Sequence, residues 1–139
     1  MLRVYTASKL KHGAMWRALC AENSHFIAHA RWLKHNSIGT PDDPADAVAF
    51  WLQDEQDVKD ADVLVLYAEE GEKLRGALVE VGIALAWGVP VIVVGSHSDY
   101  GTWQFHPGVR RVDNMREMIL ELLRVEPAYV YAQRRPRQA

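Results

Sequence analysis

A chain of 139 residues is long enough for one domain with a substantial core and too short for two ordinary ones. Its 16 Lys and Arg against 18 Asp and Glu give a net charge of −2, which excludes the basic surface that nucleic-acid polymers require. Cys20 is the single cysteine, so an internal disulfide framework and a Cys-based zinc site are excluded, and a reducing, cytoplasmic setting is expected.

Arg3, Lys9 and Lys11 interrupt the N-terminal region before an apolar export signal can form. Leu2 to Thr6 is rich in β-formers and predicts a first strand, followed after Ala7-Ser8-Lys9 by a helix carrying Leu10, Ala14, Met15, Ala18 and Leu19 at helical spacing. His25 to Ala28 predicts a short second strand, and Arg31 to Thr40, with no clean period, a loop. Pro41-Asp42-Asp43-Pro44 is a helix-start signal for Ala45 to Lys59. Asp62 to Tyr67 reads as a strand buried on both faces, Glu69 to Lys73 as a charged loop, and Leu74 to Trp87 as a third helix. Pro90 to Val94 is another buried strand, Ser96 to Gly108 a long loop, Val109 to Val112 a last strand, and Asn114 to Leu123 an amphipathic helix. The uncharged run Val81 to Gly95 is too short to span a bilayer and is broken at Gly88-Val89-Pro90, so it reads as core and no membrane partner is expected.

Alternating strands and helices argue an α/β fold: a flavodoxin-like (Rossmann-like) three-layer sandwich on a five-stranded parallel sheet, spanning residues 1–125. Residues 126–139 form an Arg-rich tail, expected to be loose. Ligands of such sheets bind beyond the carboxyl ends of the strands, which directs attention to Tyr5 to Lys11, Tyr67 to Arg75, and Gly95 to His97.

Glu80 is the only formally charged residue from Gly76 to Ser98. A carboxylate in so apolar a helix must be hydrogen-bonded, ion-paired or facing a polar cavity, because burying it alone costs several kcal/mol. Gly82, within the same helix, suggests a close backbone approach.

Val79-Glu80-Val81-Gly82-Ile83-Ala84 and Trp87-Gly88-Val89-Pro90-Val91-Ile92 resemble a signature of the nucleoside 2-deoxyribosyltransferases and the related nucleotide N-glycosidases. Asp54 to Val65 is similar to that family's approach to its third strand, and Val4-Tyr5-Thr6-Ala7-Ser8 to its first. The resemblance implies that Glu80 captures an oxocarbenium-like sugar covalently, with water completing a hydrolase cycle or a nucleobase a transferase cycle. It further implies that Tyr5 orients Glu80 and that Asp54 holds sugar hydroxyls or handles the proton of the leaving base. A 5′-phosphate, where present, would meet Ser8, Lys9, Arg75 and Gly76.

Deoxyribosyl transfer is the first expectation from the resemblance. A hydrolase acting on (deoxy)nucleoside 5′-monophosphates and a catalytically silent nucleotide-binding module are the alternatives. Leu74 stands where the transferases commonly carry an Asp near the base, which weakens base transfer. The resemblance also implies homodimers or higher oligomers whose neighbours help close the site. No cofactor is expected, since no GxGxxG or P-loop pattern occurs. No metal is expected either, because His25, His29 and His35 lack the carboxylates or spacing of a zinc set. The third strand ends in Tyr67-Ala68 without an Asp, unlike a phosphoacceptor receiver domain. Trp32, Trp103 and Phe105 can stack on a base or pack in a core or interface, and Tyr100 to His106 can serve as a lid.

Overall fold

The computed structural model describes residues 1–34 and 44–125. Five strands, β1 (Leu2–Ala7), β2 (Phe26–Ala28), β3 (Val63–Tyr67), β4 (Val91–Val94) and β5 (Val109–Val112), form one wholly parallel sheet in the order β2-β1-β3-β4-β5. Four helices accompany them: α1 (Gly13–Glu22), α2 (Pro44–Asp60), α3 (Gly76–Ala86) and α4 (Met115–Arg124). This is the expected flavodoxin-like order, whose reversal point lies between β1 and β3. Among the described residues, no helix is long and apolar enough to cross a membrane.

Right-handed crossovers decide which face each helix covers. The chain moves outward from β1 to β2 through α1, then back across β1 to β3 through α2 and onward to β4 through α3. α2 and α3 therefore share one face, where they pack on each other and on β1, and α1 covers the opposite face. Side chains alternate along a strand. Tyr67 meets Trp16 of α1 edge-on, with centroids 6.3 Å apart, so Val65 and its registered neighbour Thr6 also face α1. Leu64 and its neighbour Tyr5 consequently face α2 and α3.

The core follows the sequence pattern. Val63 to Leu66 and Val91 to Val94 are buried on both faces, as strands sandwiched between helix layers must be. α3 stops at Gly88, whose φ of +71° suits glycine, and the Val89 N–H bonds back to the Ala84 carbonyl at 2.8 Å while that of Gly88 reaches Leu85. α4 starts at Asn114, whose side chain accepts the Glu117 N–H at 2.9 Å.

Element boundaries differ from the sequence expectation chiefly at three places among the described residues. Leu10–His12 is a tight 3-10 turn rather than the first turn of α1. α3 begins at Gly76 instead of Leu74, and the Leu74 N–H is bonded to Asp99 Oδ2 at 3.3 Å. Arg31–Lys34, expected as loop, is a 3-10 turn. The helix-start signal at Pro41-Asp42-Asp43 and the tail 126–139 lie outside the described residues.

Candidate functional site

The buried stripe of α2 includes Asp54, Asp57 and Val58, and that of α3 includes Glu80, Val81 and Ala84, both at the spacing of one helix face. These stripes lie over the sheet face that presents Tyr5. The fold thus brings Tyr5, Asp54 and Glu80, distant in sequence, onto one side of the sheet.

All three are buried and short of partners among the described residues. Glu80 is 7% exposed and makes no hydrogen bond or ion pair there; burial pushes its carboxyl up to about 8. Asp54 Oδ1 is buried without a partner. Burial raises that carboxyl to about 6, helped by the Asp57 charge and opposed by Arg31. The Tyr5 hydroxyl is likewise buried and unpaired. Neighbouring acids are treated differently: Asp57 accepts the Arg31 N–H and Nε–H, both at 2.8 Å, and Asp62 accepts the Arg3 N–H at 2.8 Å.

Ser8 and Lys9 follow β1 at its carboxyl end, where Ser8 Oγ accepts the Trp16 indole N–H at 2.7 Å. Arg75 is exposed at the N-cap of α3, and Gly76 opens the helix with Trp51 packed over it. Gly82 departs from expectation. It faces solvent, and a Cβ built there meets nothing within 4 Å, so it marks no close backbone approach and does not join Glu80. The helical turn explains this, since Glu80 and Gly82 point to nearly opposite sides.

Trp32 is core rather than a base-stacking surface: it is buried and donates its indole N–H to the Thr6 carbonyl at 3.1 Å. Tyr100 and Trp103 pack against the core, and the Tyr100 hydroxyl donates to the Val94 carbonyl at 3.1 Å. The segment expected as a lid is therefore fastened to the sheet at Tyr100. Phe105 is exposed, with the Arg111 guanidinium over its ring.

Sequence reasoning missed a second polar cluster. His12 Nε2 lies 3.0 Å from both Glu72 carboxylate oxygens and 3.5 Å from Glu69, and Lys11 Nζ is 3.3 Å from Glu72. Burial alone would raise the Glu72 carboxyl, but the Glu69 N–H, His12 and Lys11 outweigh it and hold it at about 2. Three ligand-type side chains converge here, yet Lys11 already pairs with the Glu72 carboxylate and the His12 ring is hydrogen-bonded to it. The run Glu69-Glu70-Gly71-Glu72-Lys73 gave its charge but not its partners, which come from the turn after β1. An open cleft of about 480 Å³, lined by His29, Arg31, Gln56, Asp57 and Asp60, lies beyond β2 and does not include Tyr5, Asp54 or Glu80.

No protein-family model and no curated protein sequence matches this chain. Among solved structures it is similar to a CMP N-glycosidase, BcmB, from Clostridium botulinum, with a TM-score of 0.54 and 19% identity over 88% of this chain and 99% of that one. At that identity the likeness shows the shared fold.

Proposed function

We propose that this protein cleaves the N-glycosidic bond of a (deoxy)nucleoside or nucleotide, with Glu80 as nucleophile. The observation that carries the reading is Glu80, 7% exposed and with no hydrogen bond or ion pair among the described residues, on the sheet face it shares with the unpartnered Asp54 Oδ1 and Tyr5 hydroxyl. A fold that leaves such a group unpaired sacrifices stability, and the sacrifice is intelligible when a ligand completes the site.

In the proposed cycle the ionised Glu80 attacks the anomeric carbon as the bond to the base breaks. The bonding electrons leave with the base, and Asp54 delivers a proton to it. Asp54 then takes a proton from water, which attacks the same carbon and releases the Glu80 carboxylate with overall retention. Desolvation works in favour of the first step, because positive charge building on the sugar stabilises a carboxylate that water does not. In the proposed complex with substrate the Tyr5 hydroxyl, which has no partner among the described residues of the free protein, donates a hydrogen bond that aims Glu80. Ser8, Lys9, Arg75 and Gly76 receive a 5′-phosphate.

Water is the favoured acceptor, since Leu74 is buried and apolar at the position where a transferase would meet its second base. Incubation with deoxynucleosides and nucleoside 5′-monophosphates is expected to release free base in a Glu80-dependent manner. Exchange of one base for another without net hydrolysis would establish transfer instead, and binding without release would establish a silent module.

Self-association belongs to the same proposal. Val48, Leu52 and Val79 on α2 and α3 are more than half exposed, and Gly82 lies on this outer side. A second copy covering that face would exclude water from apolar surface. Light scattering that finds only a species near 15.8 kDa would remove this part of the proposal.

A further inference from the structure

His97 follows β4 at the carboxyl edge of the sheet, just past Gly95, whose φ of +71° turns the chain there. It is 7% exposed. Its Nδ1 accepts the Asp99 N–H at 3.0 Å, so the proton of the neutral ring sits on Nε2. That Nε2 is buried and has no partner among the described residues. A buried donor left unmade costs more than an ordinary hydrogen bond returns, so its retention calls for an acceptor that arrives from outside.

The surroundings hold the ring still. Tyr100 lies against it, with centroids 5.5 Å apart and planes tilted by 35°, and is itself fixed through its hydroxyl to the Val94 carbonyl. Asp99 Oδ2 accepts the Leu74 N–H, tying this loop to the residues that open α3. The His97 loop and the approach to the Glu80 helix therefore form one corner.

The charge of that corner selects the ligand's chemistry. Asp99 is part of it, and Glu70 lies close enough that its charge adds to the burial that raises the Tyr100 hydroxyl to about 12. Beside these carboxylates the His97 Nε2–H is better matched by the carbonyl oxygen or ring nitrogen of a neutral heterocycle than by a phosphate, for which Arg75 stands exposed at the start of α3. Of the residues proposed for phosphate, Ser8 and Lys9 lie at the end of β1, and Arg75 and Gly76 at the start of α3. β1 and β4 are separated by β3, so two strand spacings, roughly 10 Å, divide the two ends. A nucleotide laid along the carboxyl edge with its phosphate on Ser8 and Lys9 extends its base toward β4.

We infer that His97 is a specificity-determining residue of this site, donating its Nε2–H to an acceptor atom of the bound nucleobase; the inference rests on the N-glycosidic reading above. The same bond stabilises the base as it takes up the electrons of the breaking glycosidic bond, so its loss reduces turnover as well as binding.

His97→Asn removes the Nε2 donor while keeping a carboxamide oxygen able to accept the Asp99 N–H, and His97→Gln keeps a donor near the Nε2 position. Calorimetric titration of wild type and both variants uses the common nucleoside and deoxynucleoside 5′-monophosphates and, as a base-free probe, ribose 5-phosphate. Expected is about a tenfold loss of affinity for the preferred nucleotide in His97→Asn, none for ribose 5-phosphate, and recovery of most of the loss in His97→Gln. Equal binding and cleavage of nucleotide by wild type and His97→Asn, or an equal loss for ribose 5-phosphate, overturns the assignment of His97 alone. A wild-type protein that binds no nucleotide overturns this inference together with the reading on which it rests.

Discussion

Glu72 and Glu80 stand on either side of the start of α3 and have opposite surroundings. Glu72 gathers the Glu69 N–H, the His12 ring and the Lys11 ammonium, and its carboxyl is held down at about 2. Glu80 gathers nothing among the described residues, and its carboxyl is pushed up to about 8. The first acid joins the turn after β1 to the loop after β3 and so stabilises the strand ends. The second costs stability wherever it is ionised. The contrast separates an acid that builds the fold from one that the fold tolerates, and the tolerated one is the candidate for chemistry.

The largest effect is expected from Glu80→Gln, which sharpens the contrast in two measurements at once. Base release falls on the order of 10⁴-fold or more, as for loss of a covalent nucleophile. Stability moves the other way. The folded state holds a proton on Glu80 that the unfolded chain releases above its ordinary 4.5, so wild-type stability declines as pH rises from 4.5 to about 8. Removing that decline is worth on the order of 3 kcal/mol at pH 7, read as a higher Tm for the variant that narrows at acidic pH. A variant less stable than wild type at pH 7 would mean that Glu80 has a structural partner.

Asp54→Asn is next, with base release reduced roughly 10²- to 10⁴-fold, the range of general acid–base catalysis. The loss is expected to be smallest for substrates whose leaving base needs no proton, so an equal loss across good and poor leaving bases would break the assignment.

In wild type the cycle needs Glu80 ionised and Asp54 protonated, and with these carboxyls at about 8 and about 6 the profile of kcat/KM is a bell that is highest between those values and falls steeply above about 8. A profile that is flat from pH 6 to 9 would contradict the desolvated nucleophile.

Glu72→Gln, the smallest of these effects, removes stabilisation instead of adding it. Because its carboxyl lies below the usual value, its contribution is present above about 4.5 and disappears as pH falls toward 2. Roughly 1.5–3 kcal/mol is lost at neutral pH, the worth of hydrogen bonds to a charged group, and base release stays within a few-fold of wild type.

The difference between the two acids was half legible in the sequence. Glu80 stood out because its helix carries no other charge, and Asp54 and Tyr5 because they fall at matching positions of a family resemblance. Helical and strand periods, with Gly88 as a stop, were enough for the order of elements and the parallel sheet. Pairing was not legible. That Glu72 is satisfied depends on Lys11 and His12, brought to it by the pairing of β1 with β3, and no local pattern encodes a partner so distant in sequence. The same holds for Leu74, whose N–H is bonded to Asp99 from the loop after β4. Gly82 misled because a glycine between apolar residues signals close packing only when its direction is known, and here it points outward.

The strand order has a consequence for synthesis. β1 leaves the ribosome first, yet one of its two flanking neighbours is β3, which starts at Val63. Until that strand has emerged, β1 has only the three-residue β2 beside it, too little to form a stable sheet alone. Tyr5 is thus made well before α3, and the layer it shares with Glu80 forms only after β3 and α3 have docked. A nascent chain halted within α2 exposes β1 without its inner partner, and a chain extended past α3 protects it from hydrogen exchange.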